Sequence, residues 1–335
     1  MPASQSGGGE IAREKARQLA EGLRRAERRA VAQAISHVED ATPVGRELLD
    51  LVYDRTGRAY RLGITGPPGS GKSTLVNALC ERLRRRGERV GVLAIDPTSP
   101  FTGGAILGDR VRMPSAVMDE GLFMRSLASR GNLGGVSSAT YEASEVLEAA
   151  DFGWILIETV GVGQAELEVV ELADTVVLVL VPESGDAVQV MKAGVMEIAD
   201  VFVVNKYDRE GGDRLAKEIA LALELASWNR PGGWLPPICS AVAVRHEGID
   251  QILEATERHR AWLAADAARL AQVRTEKLKH RLRLLLNRAL LEHAWIEAGL
   301  ESQLDAAAPR IAARELSPYR WVDSIRAQWT HGKES

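Results

Sequence analysis

The octapeptide Gly66-Pro67-Pro68-Gly69-Ser70-Gly71-Lys72-Ser73 has the spacing G-x-x-x-x-G-K-S, and its residue types suit a polyphosphate. Glycines let consecutive backbone N–H groups turn inward around a phosphate, and the dipole of a helix opening at Thr74 adds to them. Lys72 then reaches the β- and γ-phosphates, and the Ser73 hydroxyl is a ligand for Mg²⁺. Further along, Asn205-Lys206-Tyr207-Asp208 follows an apolar run and reads N-K-x-D. The Asp208 carboxylate can accept from both N1–H and the exocyclic amine of guanine, donors that adenine lacks at those positions. A buried carboxylate facing adenine goes unpaired, so GTP is expected to beat ATP by on the order of a few kcal/mol.

Carboxylates near the phosphates come next. Glu158 ends the apolar run from Trp154 and precedes Gly161, so it is expected to hold Mg²⁺ directly or through water. The Gly161 N–H would meet a γ-phosphate as the pivot of a switch loop. Val162 stands where small signalling GTPases have a water-orienting Gln, which predicts slow intrinsic hydrolysis. Asp96 ends another apolar run, and Asp109 follows in the glycine-rich stretch Gly103 to Arg110. Both suit a Mg²⁺ shell and the positioning of an attacking water, or else they cap turns and helices. Ser240 and Ala241, after Cys239, are expected to complete the base pocket through backbone groups. The six histidines show no ligand spacing and read as structural or exposed.

These residues need a frame that holds them at one edge. Short β-rich runs at Tyr60 to Thr65, Val90 to Ile95, Trp154 to Glu158, Val176 to Val181 and Val201 to Asn205 alternate with helical stretches. That pattern predicts an α/β fold with a mostly parallel central sheet, whose ligand sits at the C-terminal strand ends where the motifs fall. Met1 to Glu10 reads as a loose tail, and Ile11 to Glu39 as one or two helices closed by Thr42-Pro43. The Arg24, Arg25, Arg28, Arg29 cluster is interleaved with Glu21 and Glu27 and reads as a solvated face. After Gly248 the chain turns helical through Gly299, with a second helix near residues 300 to 315 and an amphipathic piece from Tyr319 to Trp329. The expected organisation is residues 1–54 as N-terminal tail and helices, 55–250 as a G domain, and 251–335 as a helical arm. Its apolar stripe, Leu263 to Leu291, either builds a homodimer with the Trp321/Trp329 segment or packs on the chain's own G domain.

Composition narrows the classes. The chain has 335 residues, 45% hydrophobic and 26% charged, which describes an ordinary globular protein rather than a disordered one. A net charge of -4 weighs against nucleic acid or an anionic membrane as partner. Two cysteines, Cys80 and Cys239, cannot build a disulfide framework, and the N-terminus lacks signal-peptide features, so a reducing cytoplasm is expected, or a mitochondrial matrix in a eukaryote.

Together the strings GITGPPGSGKST (Gly63 to Thr74), LAIDPTSPFTGGAILGDRVRM (Leu93 to Met113), IETVGVGQAE (Ile157 to Glu166) and KAGVMEIADVFVVNKYD (Lys192 to Asp208) resemble the MeaB/MMAA/ArgK family of P-loop GTPases. These are G-protein chaperones of adenosylcobalamin-dependent acyl-CoA mutases. The resemblance spans roughly residues 15 to 330 and implies a GTPase that binds its mutase, gates loading of intact cofactor and drives removal of damaged cofactor. By position it implies a phosphate and Mg²⁺ site at Gly66, Gly69, Ser70, Gly71, Lys72, Ser73 and Thr74, with Asp96, Asp109 and Glu158 as metal and catalytic shell. Asn205, Lys206 and Asp208 would read guanine; Val162, Gly163, Gln164 and Glu166 match a second switch, and Glu183, Asp186 and Lys192 a third that signals to the mutase. It also implies N-terminal helices and a C-terminal helical dimerisation arm.

Departures fall on the expected contact loops: PESGDAVQVMK replaces a glycine-richer PGGGD-type loop, the stretch Leu127 to Gly135 lacks the usual serine-rich lead, and Tyr207 replaces a small residue. They suggest a subgroup serving a related mutase, with isobutyryl-CoA or 2-hydroxyisobutyryl-CoA standing beside methylmalonyl-CoA as substrate. Three other readings compete: a nickel-type metallochaperone GTPase, an ArgK-type kinase, and a nucleotide-gated scaffold whose hydrolysis is incidental. The first should carry Cys/His metal motifs, the second is opposed by Asp208, and the chaperone reading shades toward the third, because in a chaperone the GTP state matters through differential partner affinity.

Overall fold

Five of the strands carry apolar residues on both faces, the composition of a sheet covered by helices on each side. In the computed structural model, which describes residues 5–96, 119–128, 135–159, 165–182, 198–225, 233–297 and 299–331, seven parallel strands form one sheet. They are β1 (Tyr60–Thr65), β2 (Val90–Asp96), β3 (Leu122–Ala128), β4 (Trp154–Thr159), β5 (Thr175–Leu180), β6 (Val201–Val204) and β7 (Ile238–Ser240). The order is β3-β2-β4-β1-β5-β6-β7, so the chain runs outward from β1 on one side and then returns across it to build the other. Ligands of such sheets bind where the strand order reverses, at the C-terminal ends flanking the first strand.

Side chains alternate between the two faces with the two-residue period of a strand. In β2, Val90, Val92 and Ala94 join one core with Leu62, Ile64, Leu156 and Val177. Leu93 and Ile95 enter the opposite core with Phe123, Ile155, Ile157 and Val176. The first core is covered by α4 (Lys72–Arg85) and, through Ile252 and Leu253, by a later helix, Ile249–Ala264. The second is covered by α1 (Gln5–Arg24), α2 (Arg28–Glu39), α3 (Pro43–Val52), α5 (Gly135–Ala149) and α6 (Ala165–Leu172). A third cluster, Leu178, Leu180, Phe202 and Val204 with Leu215 and Ile219, seats α7 (Gly212–Leu225) on the far strands.

Several N-terminal expectations are corrected. The tail is helical from Gln5, because the face Ala12, Ala16, Leu19 and Leu23 is buried and the helix propagates beyond it. The segment up to Glu39 is two helices that end before Thr42-Pro43, as expected, but this dipeptide also starts α3: the Thr42 hydroxyl accepts from the Gly45 N–H at 3.2 Å, and Pro43 occupies the first turn where its missing N–H costs nothing. Arg28 is not simply solvated, since it donates to the Leu122 carbonyl at 2.8 Å and lies 5.4 Å from the Phe123 ring centroid.

The C-terminal region contains α8 (Ile249–Ala264), α9 (Ala267–Glu292), a π-helical turn at His293–Glu297, α10 (Leu300–Ala312) and α11 (Pro318–His331). The chain divides into two compact units, Met1–Arg281 and Leu282–Ser335. Within the first, the middle of α9 is held by Arg281, which donates to both oxygens of Glu145 at 2.7 and 2.5 Å, and by Lys277, which donates to the Ala173 carbonyl. Within the second, Ala294, Leu300 and Ile325 form a small core. On the same unit Leu282, Leu286 and Leu290 repeat every four residues and are 55%, 59% and 57% exposed. No described helix is long and apolar enough to cross a membrane.

Candidate functional site

β1 ends at Thr65, and the chain turns at Gly66 with φ +140°, a conformation that needs glycine. A Cβ there would lie 2.2 Å from the Val179 carbonyl oxygen, so the loop can follow the sheet edge this closely only without a side chain. At the other end of the loop Gly71, at φ +86°, precedes α4 and leaves its N-terminus without a side-chain cap. A Cβ on Gly71 would meet Asn205 Nδ2 at 2.4 Å. The first N–H groups of α4 are therefore free of a capping side chain and carry the positive end of the helix dipole, the arrangement that binds phosphate.

The Ser70 hydroxyl oxygen inside this loop is buried and has no hydrogen-bond partner among the described residues. A buried hydroxyl left unpaired costs about 1–3 kcal/mol, so the loop is suited to a partner that the described residues do not supply. Lys72 is buried, and its ammonium donates to the carbonyls of Gly66 and Pro67 at 2.7 and 3.0 Å. Those carbonyls hold the cation in the loop's mouth. Ser73 donates its hydroxyl to Glu158 Oε1 at 2.5 Å, and Glu158, on β4 and 1% exposed, sits beside β1 in register with Ile64. A hydroxyl and a carboxylate brought together at the phosphate end of a loop are a hard oxygen pair suited to Mg²⁺. Thr159 donates to Thr65 Oγ1 at 3.0 Å and ties the same two strand ends together.

The N-K-x-D turn is fastened to the phosphate loop from the next strand pair. Asn205, 2% exposed, donates through Nδ2 to the Ser70 carbonyl at 2.8 Å and accepts at Oδ1 from the Ala243 N–H at 3.1 Å. Lys206, at φ +54°, donates to the Gly69 carbonyl at 2.9 Å. The Tyr207 N–H bonds the Ala241 carbonyl at 3.0 Å, and the Ala241 N–H bonds the Val204 carbonyl at 2.9 Å. Both backbone groups of Ala241 thus serve the protein's own turn, so the expectation that they line the base pocket becomes a scaffolding one. Ser240 ends β7 beside Val204.

Asp208 departs from expectation: it is exposed rather than buried, and Arg245 donates to its Oδ2 at 3.1 Å. Arg245 itself is held by Glu247 at 2.9 and 3.3 Å. Motif reading missed both residues; the available signal was an Arg-x-Glu triplet a few residues after Ser240-Ala241.

Of the other expected residues, Thr74 lies in the first turn of α4, and Asp96 is the last residue of β2 at the same sheet edge. Glu166 falls in the first turn of α6. Asp109, Gly161, Val162, Gly163, Gln164, Glu183, Asp186 and Lys192 lie outside the described residues, as do most of the second and third switch stretches. His259 is buried, bonding Thr175 at 2.7 Å, which agrees with a structural histidine.

A phosphate loop between the first strand of a parallel sheet and its helix, joined to an N-K-x-D turn at the same edge, defines a P-loop GTPase. The chain belongs to the MeaB family: residues 31–298 match the family model described as methylmalonyl Co-A mutase-associated GTPase MeaB. It is 44% identical over 311 residues to a protein of Pyrococcus abyssi assigned to the GTPases, covering 92% of this chain and 95% of that one. It is 35% identical to GTPase ArgK of Escherichia coli, over 89% of this chain and 94% of the relative, and 33% identical to the methylmalonic aciduria type A homolog, mitochondrial, of Mus musculus, over 91% and 77%. A crystal structure of the LAO/AO transport system kinase superposes with a TM-score of 0.68 at 26% identity, covering 95% of this chain and 98% of that one.

Proposed function

We propose that this chain is a GTP-hydrolysing chaperone that binds an adenosylcobalamin-dependent acyl-CoA mutase, gating cofactor loading and removing inactivated cofactor. The observation that carries the nucleotide half is the double fastening of the N-K-x-D turn to the phosphate loop through Asn205–Ser70 and Lys206–Gly69. Base and phosphate subsites so joined report on one ligand. Lys72 would exchange its carbonyl partners for β- and γ-phosphate oxygens, and Ser70 would gain the partner its hydroxyl lacks among the described residues. Ser73, Glu158 and Asp96 would hold Mg²⁺, which supplies neutralisation of developing phosphate charge. Glu158 and Ser73 keep that corner polar and pre-oriented, while Lys72 withdraws charge from the opposite side. With Val162 after Gly161, hydrolysis alone is slow and is accelerated by the partner.

The mutase half rests on the family's description and on the mouse relative named for methylmalonic aciduria. The partner in this reading is an acyl-CoA mutase: methylmalonyl-, isobutyryl- or 2-hydroxyisobutyryl-CoA mutase. Residues 1–54, 55–250 and 251–335 act in this reading as N-terminal helices, G domain and arm, and the exposed stripe Leu282, Leu286, Leu290 joins two copies into a homodimer. A metallochaperone role has less support: among the described residues no three His, Cys, Asp or Glu side chains group as metal ligands, and burial pushes the Cys239 thiol up to about 11.

The test is GTP turnover by the purified protein alone and with each candidate mutase. Slow turnover that rises severalfold with one mutase and not with the others supports the reading. If no mutase changes the rate and none co-elutes with GTP-loaded protein, the partner assignment fails and a guanine-specific GTPase remains.

A further inference from the structure

The loop after β7 carries an arrangement that neither motif predicts. Val242 and Glu247 pair as an antiparallel bridge, with backbone bonds of 3.2 and 3.3 Å in the two directions. Between them Ala243–Arg245 makes one 3-10 turn, closed by the Arg245 N–H to the Val242 carbonyl at 2.9 Å, and His246 takes φ +57° to return the chain. The Ala243 N–H bond to Asn205 Oδ1 locks this small loop onto the N-K-x-D turn. The loop is thus rigid at the backbone and fixed relative to Asp208.

From it projects one guanidinium with its donors divided. Nε and Nη2 donate to the two oxygens of Glu247 at 2.9 and 3.3 Å, a fork-to-fork geometry that fixes the guanidinium plane. Nη1 then donates to Asp208 Oδ2 at 3.1 Å. A carboxylate offers about four lone-pair sites, and this bond uses one of them. The guanine edge needs two, so Arg245 and a base can be held together rather than in competition. An Asp that is exposed and joined to the turn by a single Cα–Cβ stem would otherwise rotate freely, and orienting it costs side-chain entropy at each binding event.

We propose that Arg245 is a positioning residue for base recognition: pinned by Glu247, it holds the Asp208 carboxylate in the orientation that reads the N1–H and 2-amino edge, and thereby sets the preference for guanine over hypoxanthine. The inference rests on the guanine reading of the same site. Because the pair is solvent-exposed, the expected effect is modest, up to about fivefold in affinity.

The test is calorimetric binding of GDP, IDP and ADP, with Mg²⁺ present, to the full chain and to Arg245→Met, Arg245→Lys and Glu247→Gln. Arg245→Met is expected to weaken GDP about three- to fivefold and IDP less, narrowing the GDP:IDP ratio, with the melting temperature unchanged. Arg245→Lys restores part of the ratio, since an ammonium can still reach Asp208, and Glu247→Gln falls between. A GDP:IDP ratio in Arg245→Met equal to that of the unaltered protein overturns the inference, as does tighter GDP binding, which would make Arg245 a competitor of the base. An unaltered protein that does not prefer GDP to ADP defeats the guanine reading itself, and is told apart by that arm alone.

Discussion

The two ends of the sheet use the same kinds of polar residue to opposite purposes. At the N-terminal end, Tyr60, Thr175, Asp200, Thr256 and His259 close on one another: the Tyr60 hydroxyl meets Thr175 Oγ1 and donates to the Thr256 carbonyl at 2.8 Å, and Thr175 meets His259 Nδ1 at 2.7 Å. His259 Nε2 lies 3.5 Å from Asp200 Oδ1, while Asp200 Oδ2 takes the Val176 N–H at 2.8 Å. Burial holds the Tyr60 hydroxyl well above the ordinary phenol range, so it stays neutral and donates. Beside it Arg61 is buried against Glu148, and its guanidinium lies 4.3 Å from the Tyr141 ring centroid, with Arg281 at 4.0 Å from the same centroid. Burial alone would lower the Arg61 guanidinium, but Glu148 facing it drives the net shift upward. At the C-terminal end, by contrast, the Ser70 hydroxyl has no partner among the described residues, the helix cap is empty and Lys72 rests on carbonyls it can leave. A closed network stabilises the fold; an open one stores binding capacity for something outside the chain.

That contrast can be broken from either side. Lys72→Ala is expected to give the largest effect, lowering GTP turnover by about 10²–10³-fold, because it removes a pre-positioned charge at the phosphates. Its melting temperature in the absence of nucleotide should scarcely move. Arg61→Met reverses the pattern: breaking a buried pair costs about 3 kcal/mol, near the low end for such pairs because the N–H groups of Gly57 and Arg58 still donate to Glu148. Chemical denaturation should register that loss while GDP affinity stays within twofold or so of the unaltered protein. Tyr60→Phe is the smallest, about 1–2 kcal/mol, since it removes one buried hydrogen bond to the Thr256 carbonyl but leaves Thr175 its histidine. Loss of nucleotide binding in either Arg61→Met or Tyr60→Phe, with the fold intact, would mean the two ends are coupled rather than independent.

The same contrast explains what the sequence made legible. Residues that serve a ligand are fixed in type and spacing, so Gly66 through Ser73 and Asn205 through Asp208 could be read directly, and the structure brings them to one edge. β1 runs from Tyr60 to Thr65 as the apolar pattern requires, and β2, β4, β5 and β6 fall within a residue of expectation. β3 was illegible because Arg125 interrupts its apolar run, and that charge is satisfied only in three dimensions, by Glu39 at 2.9 Å from α2. β7 is three residues long, too short for a period to register. Arg245 was illegible for a related reason: its value lies in facing Asp208 across 37 residues of chain, and no local pattern encodes that distance. The closed network of Tyr60 and His259 likewise spans 199 residues and carries no motif, since any donor–acceptor set that fits would serve.

In the proposed reading the open end of the sheet is a guanine nucleotide site whose base and phosphate halves are one unit. The most direct measurement is the calorimetric affinity of the full chain for GDP and for ADP, each with Mg²⁺, alongside Asp208→Asn. GDP is expected to bind at least about a hundredfold tighter than ADP, as a site built to bond a base edge should give, with the gap collapsing in Asp208→Asn while ADP affinity stays the same. Equal affinities for GDP and ADP in the unaltered protein would contradict it.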